Sequence, residues 1–216
     1  MIDNWLVKTK VAKIFEKFVK KVFFNRISAN QLTLMGLIFG LTSAVSIYLS
    51  TMLQYTLELI ILALILMALS FFFDVIDGIL ARLENPTPFG GILDIFCDRT
   101  VEVFIILALI STDPLNLMWP GLFSLAAIIL CITMFLITGG IIREDNLGGK
   151  QKVIYYRNGF MERSETFIFL FLMTILYFGA LRFILLWIFA VLVFITAILR
   201  LRDSYLIFNS SSTTDK

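Results

Sequence analysis

Four aspartates, Asp74, Asp77, Asp94 and Asp98, lie within FFFDVIDGILARLENPTPFGGILDIFCDR, Phe71 to Arg99, flanked on both sides by long apolar sequence. A carboxylate in or beside hydrocarbon is costly unless its charge is offset, so four at short spacing require a counter-charge. Arg82 and Arg99 could each offset one; one or two divalent cations would offset the group better. The chain contains no histidine, and its two cysteines, Cys97 and Cys131, lack metal-ligand spacing. All-oxygen ligation then favours Mg²⁺ or Mn²⁺ over Zn²⁺. The same absence excludes histidine-based triads and general bases, leaving carboxylates, Lys, Tyr and Cys for any proton transfer.

Helical spacing brings these carboxylates together. Asp74 and Asp77 are i and i+3, and Gly78, Ala81 and Arg82 continue along much the same side. Gly78 and Ala81 leave that side nearly flat, so that a ligand or another backbone can approach. Asn85, Pro86 and Pro88 then end the helix, and Gly90–Gly91 loosens the start of the next. Asp94 and Asp98 are i and i+4 on the returning helix. Two antiparallel helices with a short connection are neighbours, so the two pairs meet at similar depth. Two other readings of the acids remain at this point: interhelical Asp–Arg pairs in a packed bundle, and a cation or proton pathway, although transporter sites usually lie nearer the bilayer midplane.

The elements that must position these residues are membrane helices. The chain has 216 residues, 59% of them hydrophobic, with a mean hydropathy of +0.93, too apolar for an ordinary soluble domain. Six stretches read as spans: 32–50, 55–82, 89–111, 118–142, 162–180 and 183–203. The expected fold is all-α, a polytopic bundle of six transmembrane helices preceded by an amphipathic juxtamembrane helix. Residues 1–29 form the arm, 30–205 the six-helix domain and 206–216 a flexible tail. In the arm, Val7, Val11, Ile14, Phe15, Phe18 and Val22 fall at helical spacing between lysines, as in a helix lying on a leaflet. No signal peptide is visible in it.

Basic residues set the expected orientation. The arm, the connection between spans 4 and 5 (Arg143, Lys150, Lys152, Arg157, Arg163) and the C-terminal end (Arg200, Arg202) carry most of them, and six spans place all three on one side, the cytoplasmic one. The opposite loops have Arg182 and an aromatic belt of Tyr48, Tyr55, Trp119 and Tyr177. The net charge of +2 is small; its one-sided distribution indicates a membrane partner and no nucleic acid.

The pattern D74-x-x-D77-G78-x-x-A81-R82 … G90-x-x-x-D94-x-x-x-D98 resembles the signature of the CDP-alcohol phosphotransferases, membrane enzymes of phospholipid synthesis. Asn30 and Thr33, just before span 1, resemble that family's Asn-x-x-Thr. Ala29 stands where a proline is common, and seven residues separate Arg82 from Gly90 where about eight are expected by the resemblance. The resemblance implies transfer of a phosphatidyl group from CDP-diacylglycerol to the hydroxyl of a small polar alcohol, with release of CMP. It implies metal ligation by Asp74, Asp77, Asp94 and Asp98, with Asp98 also the general base. Asn30, Thr33, Asp74, Gly78, Ala81, Arg82 and Gly90 would hold the CDP group. Arg163, then Arg157 and Lys152, would bind a phosphorylated acceptor, and the protein would be a homodimer in the plasma membrane with its active site facing the cytoplasm. A CDP-aminoalcohol:diacylglycerol phosphotransferase, a cation-coupled transporter and a prenyl-diphosphate transferase are the competing functions; the last lacks its clustered DDxxD here.

Overall fold

The computed structural model describes residues 10–24, 26–84, 86–147 and 163–212. Seven helices and no strand occupy them: α1 (Lys10–Val22), α2 (Ala29–Leu49), α3 (Thr56–Glu84), α4 (Pro88–Thr112), α5 (Pro114–Leu147), α6 (Arg163–Ile175) and α7 (Leu181–Ser212). The all-α class follows the sequence. Four stretches are long and apolar enough to cross a membrane: Ala29–Leu49, Thr56–Glu84, Pro114–Ile141 and Leu181–Leu206. Together with the exposed Ile38, Val45, Ile65, Phe104 and Ile129 on the bundle's outside, they make this an integral membrane protein.

The count of six spans is not confirmed. Helix α4 is 25 residues long but carries Asp94, Asp98, Arg99 and Glu102. Helix α6 has 13 residues, about 20 Å of rise against a hydrocarbon core of about 30 Å, where a span over 162–180 was expected. The last helix runs on to Ser212, into the segment expected as a tail.

Helices α2, α3 and α4 form one tightly packed group. A Cβ on Gly40 would collide with Val101 Cγ2, so α2 and α4 meet at a distance only glycine allows. Ser70 Oγ donates to Gly36 O at 2.7 Å and Ser43 Oγ donates to Ala63 O at 2.8 Å. Buried hydroxyls bonded across helices fix the register of α2 on α3. Phe39 and Phe73 stack across the same seam with centroids 5.3 Å apart. Helices α5 and α7 form a second group, joined by the Thr138–Ser204 hydroxyl pair at 2.7 Å and by Arg200 Nη1, which donates to Cys131 O at 3.1 Å. Helix α6 packs against α3, α4 and α7 and stacks Phe167 on Phe71 at 4.2 Å.

Helix α1 docks on the end of α3. Among its described side chains the fully buried one is Val19, packed with Leu32, Ile76 and Leu80, whereas Phe18 is 46% exposed. Val19 is not on the stripe expected from Phe15, Phe18 and Val22 but borders it, and tertiary contact with α3 selects it.

At the far end, Arg182 and Tyr177 together join three connections. Its Nη1 donates to Thr112 Oγ1 at 2.8 Å, its Nη2 donates to Asp113 Oδ2 at 3.4 Å, and its guanidinium lies 5.3 Å from the Tyr177 ring centroid. Ser50 Oγ donates to the Tyr177 hydroxyl at 3.1 Å. Hydrogen bonds from Asn116, with the Arg182 charge behind them, hold the Asp113 carboxyl below the usual carboxylate range.

Candidate active site

The acidic end is built by three helices whose ends converge. Helix α2 opens with a reciprocal cap: Gln31 N donates to Ser28 Oγ at 3.4 Å and Ser28 N donates to Gln31 Oε1 at 3.0 Å. Helix α4 opens at Thr87, whose Oγ1 accepts from Gly90 N at 3.0 Å, with Pro88 in the first turn. Between these two starts, α3 ends at Glu84, whose Oε2 accepts from Ala29 N at 3.4 Å. The caps set where each helix begins and therefore the depth of the aspartates one to three turns in.

Asp74 from α3 and Asp94 and Asp98 from α4 each present an oxygen within 4.8 Å of the others. Asp77 stands beside this trio. It is 3% exposed, and its Oδ2 is buried with no hydrogen-bond partner. Three converging carboxylate oxygens and one orphaned carboxylate oxygen form a donor set of hard oxygens, which fits a divalent cation of the Mg²⁺ or Ca²⁺ type. A buried polar atom without a partner is costly, and a cation is the partner this arrangement suits.

Two hollows meet at these residues. A cleft of about 320 Å³ lies between the starts of α2 and α4 and the end of α3. Five of the residues expected to hold the CDP group line it: Asn30, Thr33, Gly78, Ala81 and Gly90. Asp74, the sixth, lines a deeper cavity of about 60 Å³, polar above (Asp74, Asp98, Glu102) and apolar below (Met67, Ile105, Leu170). Thr33 and Asp77 border both. Arg82, the seventh, is exposed and lines neither.

Of the acceptor residues, Arg163 heads α6, while Arg157 and Lys152 lie outside the described residues. Sequence reasoning missed Glu102. It is 7% exposed, lines the deeper cavity and pairs with Arg99, one turn beyond Asp98. The signal was present: an Asp-Arg-x-x-Glu run inside an apolar helix places the last carboxylate on the face of the first.

The family model for CDP-alcohol phosphatidyltransferase matches residues 26–196, from just before α2 into α7 and across all four aspartates. This chain belongs to the CDP-alcohol phosphatidyltransferase family. An archaetidylinositol phosphate synthase from Pyrococcus horikoshii is 33% identical to it over 101 residues, 46% of this chain. The match spans 50% of that relative's length. Among solved structures, a Mycobacterium tuberculosis phosphatidylinositol phosphate synthase with CDP-DAG bound superposes with a TM-score of 0.67, covering 89% of this chain and 94% of the other at 18% identity. That likeness establishes a shared fold. Apart from Arg82, the CDP-alcohol phosphatidyltransferase signature thus lies, in three dimensions, around one cleft and one carboxylate cluster.

Proposed function

We propose that this protein moves a phosphatidyl group from CDP-diacylglycerol to the hydroxyl of a small polar alcohol and releases CMP. The observation that carries the proposal is the convergence of Asp74, Asp94 and Asp98 within 4.8 Å beside a cleft of about 320 Å³ that Asp77 and Asp94 line. The names of the P. horikoshii relative and of the solved M. tuberculosis enzyme make a phosphorylated inositol the first acceptor to test.

Asp74, Asp77, Asp94 and Asp98 would hold Mg²⁺ or Mn²⁺. Bound there, the ion supplies positive charge to the diphosphate oxygens and to the departing phosphate. Asp98 is the general base and takes the proton of the acceptor hydroxyl. The acceptor oxygen bonds to the phosphorus that carries the lipid, the bond from that phosphorus to the bridging oxygen breaks, and CMP leaves with that oxygen and its electron pair. The small side of α3 at Gly78 and Ala81, with Asn30 and Thr33 opposite, holds the nucleotide. Arg163, with Arg157 and Lys152, binds the acceptor's phosphate. The basic residues at this end support a site facing the cytoplasm from the plasma membrane, where the donor's chains stay in lipid. The active form is a homodimer, a reading supported by family resemblance.

The test is CMP release by the purified protein in lipid micelles with CDP-diacylglycerol and Mg²⁺ or Mn²⁺. Inositol 1-phosphate, glycerol 3-phosphate, inositol, serine and no acceptor are supplied in separate reactions. Metal-dependent CMP with a single acceptor supports the proposal and identifies the substrate. No CMP with any of them sinks it. Arg163→Ala should then raise KM for a phosphorylated acceptor far more than KM for the donor.

A further inference from the structure

The cleft has a carboxylate at each end. On α3, Asp77, Gly78, Ala81 and Glu84 follow one another at helical spacing, and all four line it. Glu84 lies seven positions after Asp77, about 10 Å along the axis, the reach of a nucleoside from its 5′-phosphate to the far edge of its base. The floor between them is bare. A Cβ on Gly78 would meet nothing within 4 Å, so no protein group requires glycine there, and the helix forgoes about 1 kcal/mol of propensity to keep the space. At the inner end, the buried and unpartnered Asp77 Oδ2 marks where charge must be met. Glu84, at the outer end, is half-buried.

The Glu84 carboxylate is held in place, since Oε2 accepts from Ala29 N at 3.4 Å. That single long bond leaves most of its acceptor capacity unused, because an ionised carboxylate takes up to about four hydrogen bonds and donates none. Whatever edge reaches it must therefore bring hydrogen-bond donors, and on a pyrimidine base those are N–H groups. Cytosine presents its exocyclic N4 amine there, the base edge that Glu and Asp accept from. Uracil presents a carbonyl oxygen at the same position, and two facing acceptors repel.

We propose that Glu84 is a specificity-determining residue that accepts a hydrogen bond from the cytosine amine and rejects uracil. The assignment rests on the reading of the cleft as a CDP site and names the group that selects the base.

The experiment compares binding of CMP and UMP to the full-length protein in micelles with Mn²⁺, by calorimetry, for the wild type, Glu84→Gln and Glu84→Asp. A hydrogen bond to a charged group corresponds to a preference of roughly 10- to 100-fold. The wild type should favour CMP by that factor. Glu84→Gln keeps the size and an oxygen for Ala29 N but can turn an amide N–H₂ toward the base, so its preference should collapse to within about threefold. Glu84→Asp, which keeps the charge on a shorter stem, should retain part of it. A Glu84 that only ties α2 to α3 would lower the melting temperature of both variants and leave the CMP-to-UMP ratio unchanged, which would overturn the proposal. Equal binding of CMP and UMP by a wild type that still releases CMP would overturn the Glu84 assignment alone. A wild type that binds neither nucleotide and releases no CMP would remove the underlying reading as well.

Discussion

The two ends of this bundle treat charge in opposite ways. At the far end, Arg182 meets Asp113, Thr112 and the face of Tyr177, so each charge has a protein partner and the result is a clasp between connections. At the near end, three aspartate oxygens crowd within 4.8 Å of one another and Asp77 Oδ2 is buried without a partner. The first arrangement is complete with protein atoms alone. The second leaves a buried carboxylate oxygen of Asp77 without a protein partner, where the proposed cation would act. Stability and chemistry have been assigned to different ends of the same helices, and mutations should separate them.

The largest effect should come from Asp98→Asn. It removes the proposed base while keeping the shape, so CMP release should fall by about 10³-fold, within the range for general base catalysis, with a melting temperature close to wild type. Near-normal turnover would take Asp98 out of the mechanism. Two glycines sharpen the contrast further. Gly40→Ala drives a methyl into Val101 and should cost about 1–3 kcal/mol of stability. Gly78→Ala meets open space, so it should hold or raise stability by up to about 1 kcal/mol while raising KM for the nucleotide donor. Thermal unfolding and donor titration of both variants test the pair, and a Gly78→Ala protein with unchanged KM would remove Gly78 from the donor site.

Much of the acidic end was legible in the sequence because helix spacing is local. The i, i+3 and i, i+4 aspartates, the Asn85-x-x-Pro88 break and the flat Gly78–Ala81 side each depend on residues within two turns. The docking of α1 through Val19 and the grip of Gly40 on Val101 were not legible, since both depend on which distant helix arrives opposite. Helix α6 ended sooner than its hydropathy indicated because Tyr177, Phe178 and Gly179 turn the chain at the clasp. Arg182 read as an exception to the charge bias until its partners appeared.

The clasp should give smaller, purely structural effects. Arg182→Gln loses the charged contacts and should destabilise by about 1–2 kcal/mol, with kcat within about twofold of wild type, measured by unfolding and CMP release at permissive temperature. A large loss of turnover at full stability would mean that the two ends are coupled. The smallest effect is a pH dependence. Asp113 has its pKa lowered in the folded state, so its contribution to stability is present above the unfolded value of about 3.9 and is lost as pH falls through the folded value. The stability difference between wild type and Asp113→Asn should accordingly be constant at neutral pH and shrink below about pH 4, as followed by thermal unfolding across pH.

The caps at Ser28 and Thr87 have one more consequence. Because α2 and α4 both begin at the cleft, the positive poles of two helix dipoles are directed at its rim, each with first-turn amides that a single capping oxygen does not exhaust. A polyanion approaching a floor of carboxylates is therefore drawn in by the backbone before it meets the acids. This field is built from peptide groups, so it persists through any substitution of side chains that leaves the two helix starts where they are.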